Sequence, residues 1–303
     1  QLDPRVRVFR HDVNQGTYAV RNTAMRLATG DFMTFQDSDD FCHPRRIEWQ
    51  IRPLLEDPSL MATISYSIRV DPDMVMAAPG SAYIQSHAPS LMFRLREVSE
   101  RIGYFDSVRK AADTEYIKRI AVAFGQPVLE VAPKAPLSVY RLDPDSLSRA
   151  EFKPGWRHPA RTSYHEAYEY WHQQIAAGVD SPYLPPKHEP RKFPAPQRFS
   201  IIRERCCYDV VFVCDWRLQG GPQNSILEEI RALSRRGLRL GIAQLEAFRF
   251  MSSRHKPLIP QIRELINSGE VVHVLPGDDV EVKLAILRYP PILQFTPVHP
   301  MGW

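Results

Sequence analysis

The stretch Asp31–Arg46, DFMTFQDSDDFCHPRR, holds the reading of the first half of the chain. An apolar run, Phe32 to Phe35, ends in three aspartates, Asp37, Asp39 and Asp40. A short continuous apolar run of this kind predicts a buried parallel strand. Asp37 and Asp39 are one residue apart, so on an extended strand end both carboxylates point to the same side. Carboxylates held together repel unless something positive sits between them. A hard divalent cation, Mg²⁺ or Mn²⁺, takes such oxygen ligands, often together with substrate phosphates. In open α/β sheets ligands bind outside the carboxyl ends of the strands, which is where these aspartates fall. Pro44 then suits the first position of a helix, with Ile47, Ile51, Leu54 and Leu55 as its apolar stripe.

Upstream, Val6, Val8 and Phe9 suggest a short strand, Asn14-Gln15-Gly16 a loop, and Thr17 to Ala28 a helix stopped by Gly30. Downstream, Met61–Val70 and Ser90–Phe93 read as strands, and Glu97–Ile102 as a short helix with Gly103 as its C′ residue. Asp113 to Phe124 is a strong helix ended by Gly125, with Asp113 in its first turn, where the helix dipole favours a carboxylate. Val128–Val131 and Leu137–Tyr140 read as closing strands. Tyr164, Ala167, Tyr168, Trp171 and Ile175 mark an aromatic-rich helix, read as packing back on the first domain rather than holding a cofactor. His43 and His87 read as loop or capping residues, and Glu115 as a partner of a nearby Arg or Lys.

Residues 181–207 are rich in proline interleaved with Lys187, Arg191, Lys192 and Arg198, the composition of a stiff, extended linker. A new pattern begins at Tyr208. Asp209–Cys214 is a buried-type strand, Gly220-Gly221-Pro222 a loop, Ser225–Arg236 a helix and Leu238–Gln244 a strand. Pro260–Asn267 reads as a helix, Val271–Leu275 as a strand, Val280–Leu287 as a helix and Ile292–Phe295 as a strand. Alternating β and α units predict a parallel, doubly wound sheet.

The chain has 303 residues, room for roughly two domains at about 150 each. Hydrophobic residues make up 44% and charged residues 24%, the balance of a globular protein. A formal net charge of +4 with both signs interspersed does not imply a nucleic-acid partner; it leaves room for mild attraction to phosphorylated ligands or, peripherally, to an anionic membrane surface. Cys42, Cys206, Cys207 and Cys214 form no CxxC pair and read as reduced thiols of a cytoplasmic compartment. No signal peptide and no membrane-spanning run are evident. The chain starts at Gln1 just before a strand-like run and stops at Trp303 just after another, and reads as a fragment of a longer protein.

With these elements in place, a resemblance emerges. Asn14-x-Gly16, Arg21-Asn22, Gly30-Asp31-Phe32 and Asp37-Ser38-Asp39-Asp40 follow in order. Ser90-Leu91-Met92-Phe93-Arg94, Ile102-Gly103-Tyr104-Phe105-Asp106 and Asp113-Thr114-Glu115-Tyr116 with Arg119 come after them. The series resembles the family-two glycosyltransferases of the GT-A fold over roughly residues 5–148. The resemblance implies metal-dependent transfer of a sugar from a nucleotide-diphosphate donor, a UDP-sugar first among them, to a saccharide or lipid-linked acceptor hydroxyl with inversion. The implied setting is cell-surface polysaccharide or glycoconjugate synthesis, at the cytoplasmic face of a membrane. It implies donor-site roles for Asn14, Arg21, Asp37 and Asp39, a metal on Asp39 and Asp37, and Asp113 as base. Arg21 has two readings, facing the diphosphate or pairing with the acidic cluster. Asp40 reads as holding the loop or capping. Two departures from the family stand out. Asp143 replaces the histidine that follows Tyr-Arg in the last motif, as a third metal ligand, and the family's opening strands are missing.

Asp209–Trp216, the Gly220-Gly221 loop and the helix leading to Gly237 resemble the N-terminal half of a GT-B glycosyltransferase of family-four type, over roughly 208–298. That resemblance implies an acceptor-holding role for Gly220 and Gly221. The expected architecture is thus α/β throughout. A partial GT-A domain spans 1–180, a linker 181–207, and a Rossmann-like half-domain with a parallel sheet 208–303. The rival reading is a catalytically inactive fragment that binds an acceptor or partner.

Overall fold

The computed structural model describes residues 3–76, 83–133, 135–142, 151–153, 156–187, 190–201, 204–251 and 255–294. The chain forms two compact units, residues 1–143 with 182–187, and residues 144–181 with 188–303. Both are mixed α/β. Among the described residues no helix is long and apolar enough to cross a membrane.

Unit 1 opens with residues 6–9 unpaired and exposed, so the expected first strand does not form; no described strand lies beside it to supply hydrogen-bond partners. Helix α1 (Thr17–Leu27) follows, and then β1 (Phe32–Thr34). β1 pairs antiparallel with β4 (Ile84–Arg94), so the expected parallel, buried strand is a half-buried antiparallel one. The strand order is β1-β4-β3-β6-β2, with β2 at Phe41–Cys42, β3 at Ala62–Val70 and β6 at Ser138–Arg141; β5 (Leu129–Glu130) also pairs with β3. Helices α2 (Arg46–Glu56), α3 (Leu95–Ile102) and α4 (Ala112–Phe124) complete the unit. Its aromatic core joins Phe93, Phe105 and Tyr116, the last two stacked at 4.1 Å.

Helix α2 departs most from its pattern. Its expected stripe residues Ile47 and Leu55 are 52% and 64% exposed, while Arg46 and Gln50 are buried. The reason is polar. Arg46 donates to Thr34 Oγ1, Gln50 Oε1 and the carbonyls of Ser90 and Phe35, and Gln50 donates to the Ser90 carbonyl at 2.7 Å. These bonds satisfy main-chain carbonyls around the end of β1, and the helix turns to deliver them. The loop at 182–187 is pinned to this unit: Tyr104 N–H donates to the Leu184 carbonyl at 2.8 Å, and Leu184 N–H to that of Ile102 at 3.0 Å. A Cβ on Gly103, whose φ is +72°, would collide with the Leu184 backbone.

Unit 2 contains a short hairpin, β7 (Phe152–Lys153) and β8 (Trp156–Arg157), and the long helix α5 (Pro159–Ala176). Contrary to the sequence reading, α5 groups with this unit. Its Tyr164 meets Phe193 and Phe199, and its Glu166 pairs with Arg263 of α7 (Pro260–Asn267). The proline-rich segment therefore lies packed through buried Phe193 and Phe199 rather than extended as a free linker. A wholly parallel sheet follows in the order β11-β10-β9-β12: β9 is Cys206–Cys214, β10 Leu240–Gln244, β11 Val272–His273 and β12 Val280–Leu287. Residues 280–287 are thus a strand, not the expected helix; Val280, Val282, Leu284 and Ile286 recur at period two. The expected strand at Ile292 is a 3₁₀ turn, Pro290–Leu293, where two prolines lack the N–H a ladder needs; Phe295 lies outside the described residues. Helix α6 (Gly221–Ser234) packs Ile226 and Ile230 with Phe212, Trp216 and Ile242.

Candidate active site

The site in unit 1 is built where β1 runs into the acidic loop. Arg21, on the buried face of α1, donates to Asp37 Oδ1 at 2.7 Å. Its guanidinium lies 4.7 Å from the Phe35 ring and 5.7 Å from that of Tyr18. The aromatic clamp holds Arg21 beside the carboxylate, so of its two readings the structure displays the ion pair. Asp39 is exposed on the same loop, and no hydrogen bond to its side chain is seen among the described residues.

Asp40 behaves differently. Its side chain is 1% exposed, and Oδ1 accepts from the Arg141 N–H at 3.1 Å, tying the acidic loop to the end of β6. Loop-holding, rather than helix capping, is what it does. Oδ2 is buried without a hydrogen-bond partner, and His87 Nε2 stands 3.8 Å away. Burial pushes the Asp40 carboxyl up to about 7; Asp39 and Asp37 add to the shift, and the Arg141 N–H opposes it. His87 is no loop residue but a buried position within β4. Burial and then the charge of Arg46 push it down to about 4, against the pull of Asp113. It escaped the sequence reading because a polar residue and Pro89 interrupt the apolar signal of that strand.

Asp113 enters from the first turn of α4, half-buried, with Oδ1 accepting from the Thr114 N–H at 2.8 Å. The helix begins after Ala111, a non-glycine residue at φ +67°. Such a conformation costs of order 1 kcal/mol and fixes where the first turn points. Asp113 bonds to the Tyr18 phenol; burial first, and then this carboxylate, raise Tyr18 well above its usual range, with Arg21 opposing. Tyr18, Arg21, Asp37, Asp113 and His87 thus share one electrostatic neighbourhood; no motif marks Tyr18 in the sequence. Glu115 is buried and paired with Arg119 at 2.8 Å, and His43 Nδ1 accepts from the Arg45 N–H at 3.1 Å. Asn14 Oδ1 accepts from the Gly16 N–H at 3.0 Å, a turn into α1. Asp143 lies outside the described residues.

Among the described residues no group of three or more His, Cys, Asp or Glu side chains is placed to hold a metal ion. Asp37 and Asp39 fit a lesser demand: Mg²⁺ is often bound through one or two carboxylates, with substrate phosphates and water completing the shell. One oxygen of Asp37 is taken by Arg21, which leaves its second oxygen and Asp39 for that purpose.

In unit 2, Gly220 and Gly221 lie where β9 gives way to α6, with β10 and β12 on opposite sides of β9. Gly220 has an extended φ of −163°, and a Cβ on Gly221 would meet open space, so neither is required by a tight turn. Beside them Asp215 is fully buried. It accepts from Arg217 Nε and Nη2, from Gln244 Nε2 and from the Ala247 N–H.

Comparison with known proteins bears on unit 1. Residues 1–115 match the family model of Glycosyl transferase family 2. The matched segment contains Arg21, the acidic loop and Asp113. An uncharacterized glycosyltransferase of Haemophilus influenzae is 38% identical over 65 residues, 22% of this chain and 26% of that protein. The UDP-Glc:alpha-D-GlcNAc-diphosphoundecaprenol beta-1,3-glucosyltransferase WfgD of Escherichia coli is 34% identical over 55 residues, 18% of this chain and 22% of that protein. The chain therefore spans about a quarter of the length of these relatives. Among solved structures, S. aureus TarS 1-349 in complex with UDP-GlcNAc aligns with a TM-score of 0.35 at 14% identity, covering 55% of this chain and 52% of that one. A mixed sheet in one unit and a parallel sheet in the other are consistent with Rossmann-like glycosyltransferase architecture.

Proposed function

We propose that unit 1 belongs to an inverting glycosyltransferase that moves a sugar from a nucleotide-diphosphate donor, a UDP-sugar by preference, to an acceptor hydroxyl. The observation that carries this reading is the convergence of Arg21, Asp37 and Asp113 on one neighbourhood inside the segment that matches family 2. Asp113 takes the proton of the acceptor hydroxyl. The freed oxygen attacks the anomeric carbon from the face opposite the diphosphate, and the bond from that carbon to the diphosphate oxygen breaks, inverting the centre. Arg21, held between aromatic rings, orients Asp37, and Asn14 shapes the loop leading into α1 on the donor side. Asp39 and Asp37, with Asp143 as a third candidate, would hold Mg²⁺ or Mn²⁺, which when bound neutralises charge on the leaving diphosphate.

The lipid-linked substrate in the name of WfgD supports a saccharide or lipid-linked acceptor in polysaccharide synthesis, met peripherally at the cytoplasmic face of a membrane. For unit 2 we infer the N-terminal half of a GT-B domain. Gly220 and Gly221 sit at the carboxyl end of β9, where strand order diverges to both sides, the place open parallel sheets use for ligands. An assay of the full chain with UDP-glucose, UDP-GlcNAc and a diphosphoundecaprenol-linked GlcNAc acceptor, with Mn²⁺ and with EDTA, tests the whole reading. Asp113→Ala and Asp39→Ala should each lower turnover by about 10²-fold or more. Wild-type turnover in both variants would refute the assignment.

A further inference from the structure

In unit 2 the C-terminal halves of α5 and α7 line an open cleft of about 280 Å³. Tyr170 and Gln174 of α5 face it, as do Glu264 and Asn267 of α7, with Asp180 and Lys192 at the rim. The rim is fixed: Asp180 accepts from Lys192 Nζ at 2.7 Å and from Trp171 Nε1 at 2.9 Å. Asn267 spends its amide N–H on the Ala167 carbonyl at 2.9 Å. Its Oδ1 is buried without a hydrogen-bond partner, an acceptor that lacks a donor.

The chemistry of this lining narrows the ligand. Two carboxylates against one ammonium make the cavity mildly negative, which disfavours phosphates and other anions. Amide, phenol, carboxylate and ammonium groups together offer both donors and acceptors, and Tyr170 adds an apolar ring surface. A hydroxyl group can donate to the exposed Glu264 carboxylate and accept from Lys192 in one molecule. The volume lies just under the ~300 Å³ at which small-molecule pockets begin, which suits one sugar ring. We propose that this cavity is a binding site for a neutral saccharide residue, separate from the site in unit 1. The proposal stands on unit 2 alone and does not depend on the reaction assigned to unit 1.

Saturation-transfer difference NMR on the full chain tests it, with the methyl glycosides of glucose, galactose and N-acetylglucosamine as probes. At least one glycoside should receive saturation, and Gln174→Ala and Glu264→Ala should each weaken binding about fivefold, the loss of one hydrogen bond. Among the described residues neither side chain bonds within the fold, so the thermal midpoint should stay put. Asp39→Ala should leave the signal intact. No transfer from any of the three probes, or transfer unchanged in both cavity variants, would overturn the proposal. So would a signal lost in Asp39→Ala and kept in the cavity variants, which would place the sugar in unit 1.

Discussion

Two strand-end carboxylate clusters face opposite tasks in this chain. In unit 1, Asp39 is exposed, and among the described residues no hydrogen bond reaches its side chain. In unit 2, Asp215 is fully buried and saturated by Arg217, Gln244 and the Ala247 N–H. A carboxylate whose lone pairs are all occupied by its own fold has nothing left for a ligand, whereas one left short can accept an ion or substrate. Both stand at the ends of apolar runs, so position alone does not separate site from scaffold; hydrogen-bond satisfaction does.

The sharpest way to break this contrast is to remove each carboxylate. Asp215→Ala strands the buried Arg217 with Glu246 as its remaining partner and should cost about 3 kcal/mol in urea unfolding, as for a broken buried ion pair. Asp39→Ala, on the exposed loop, should change stability by less than about 0.5 kcal/mol while lowering the proposed transfer by about 10²-fold or more. Equal stability losses in the two variants would erase the distinction.

Acid should act on unit 2 in two stages. Burial, and then Arg263, push His273 down to about 3, so its neutral form is favoured in the fold. That stability is present above the unfolded value of about 6.5 and is lost as pH falls toward the folded one, at most about 2 kcal/mol by pH 5. His273→Gln should flatten this part of the unfolding profile. For Asp215, burial opposes ionisation, but Arg217, the Ala247 N–H and Gln244 outweigh it, so its pKa lies below the usual value. Its contribution is intact above about 3.9 and disappears as pH falls through the folded pKa. Carboxyl ¹³C NMR should then find Asp40 titrating at about 7 and Asp215 below the usual Asp range.

The smallest effect concerns the helices that start at the two sites. α4 follows Ala111 in a left-handed conformation, whereas α6 follows Gly220 in an extended one. Ala111→Gly should therefore stabilise unit 1 by about 0.5–1 kcal/mol. It should also lower turnover modestly, because the first turn that aims Asp113 is less firmly set. A variant less stable than the parent would show that Ala111 is not strained.

Much of this was legible in the chain, for identifiable reasons. Helix α4 follows from apolar spacing and from the glycine that stops it, both local signals; α1 forms where its pattern predicts, but it buries Tyr18, Arg21 and Met25 and leaves the spaced Val20 and Leu27 exposed. The acidic loop stood out because charge after an apolar run is itself local. What failed depends on partners far away in sequence. Helix α2 shows solvent half of the stripe its spacing would bury, Ile47 and Leu55, because Arg46 and Gln50 are drawn to carbonyls at the end of β1 and in β4. Helix α5 sits with α7 because Glu166 finds Arg263, ninety-seven residues on.

By itself, then, the sequence determined the alternation of elements, the acidic strand end, the candidate base and a family likeness read over roughly residues 5–148, since each is written in local runs of residues. Only the tertiary structure decided that Arg21 pairs with Asp37, that Asp40 and His87 are buried together, and that residues 280–287 are a strand beside β9. The physical reason is common to all three. Burial and hydrogen-bond satisfaction are properties of who the neighbours are, and those neighbours are set by the fold rather than by spacing along the chain.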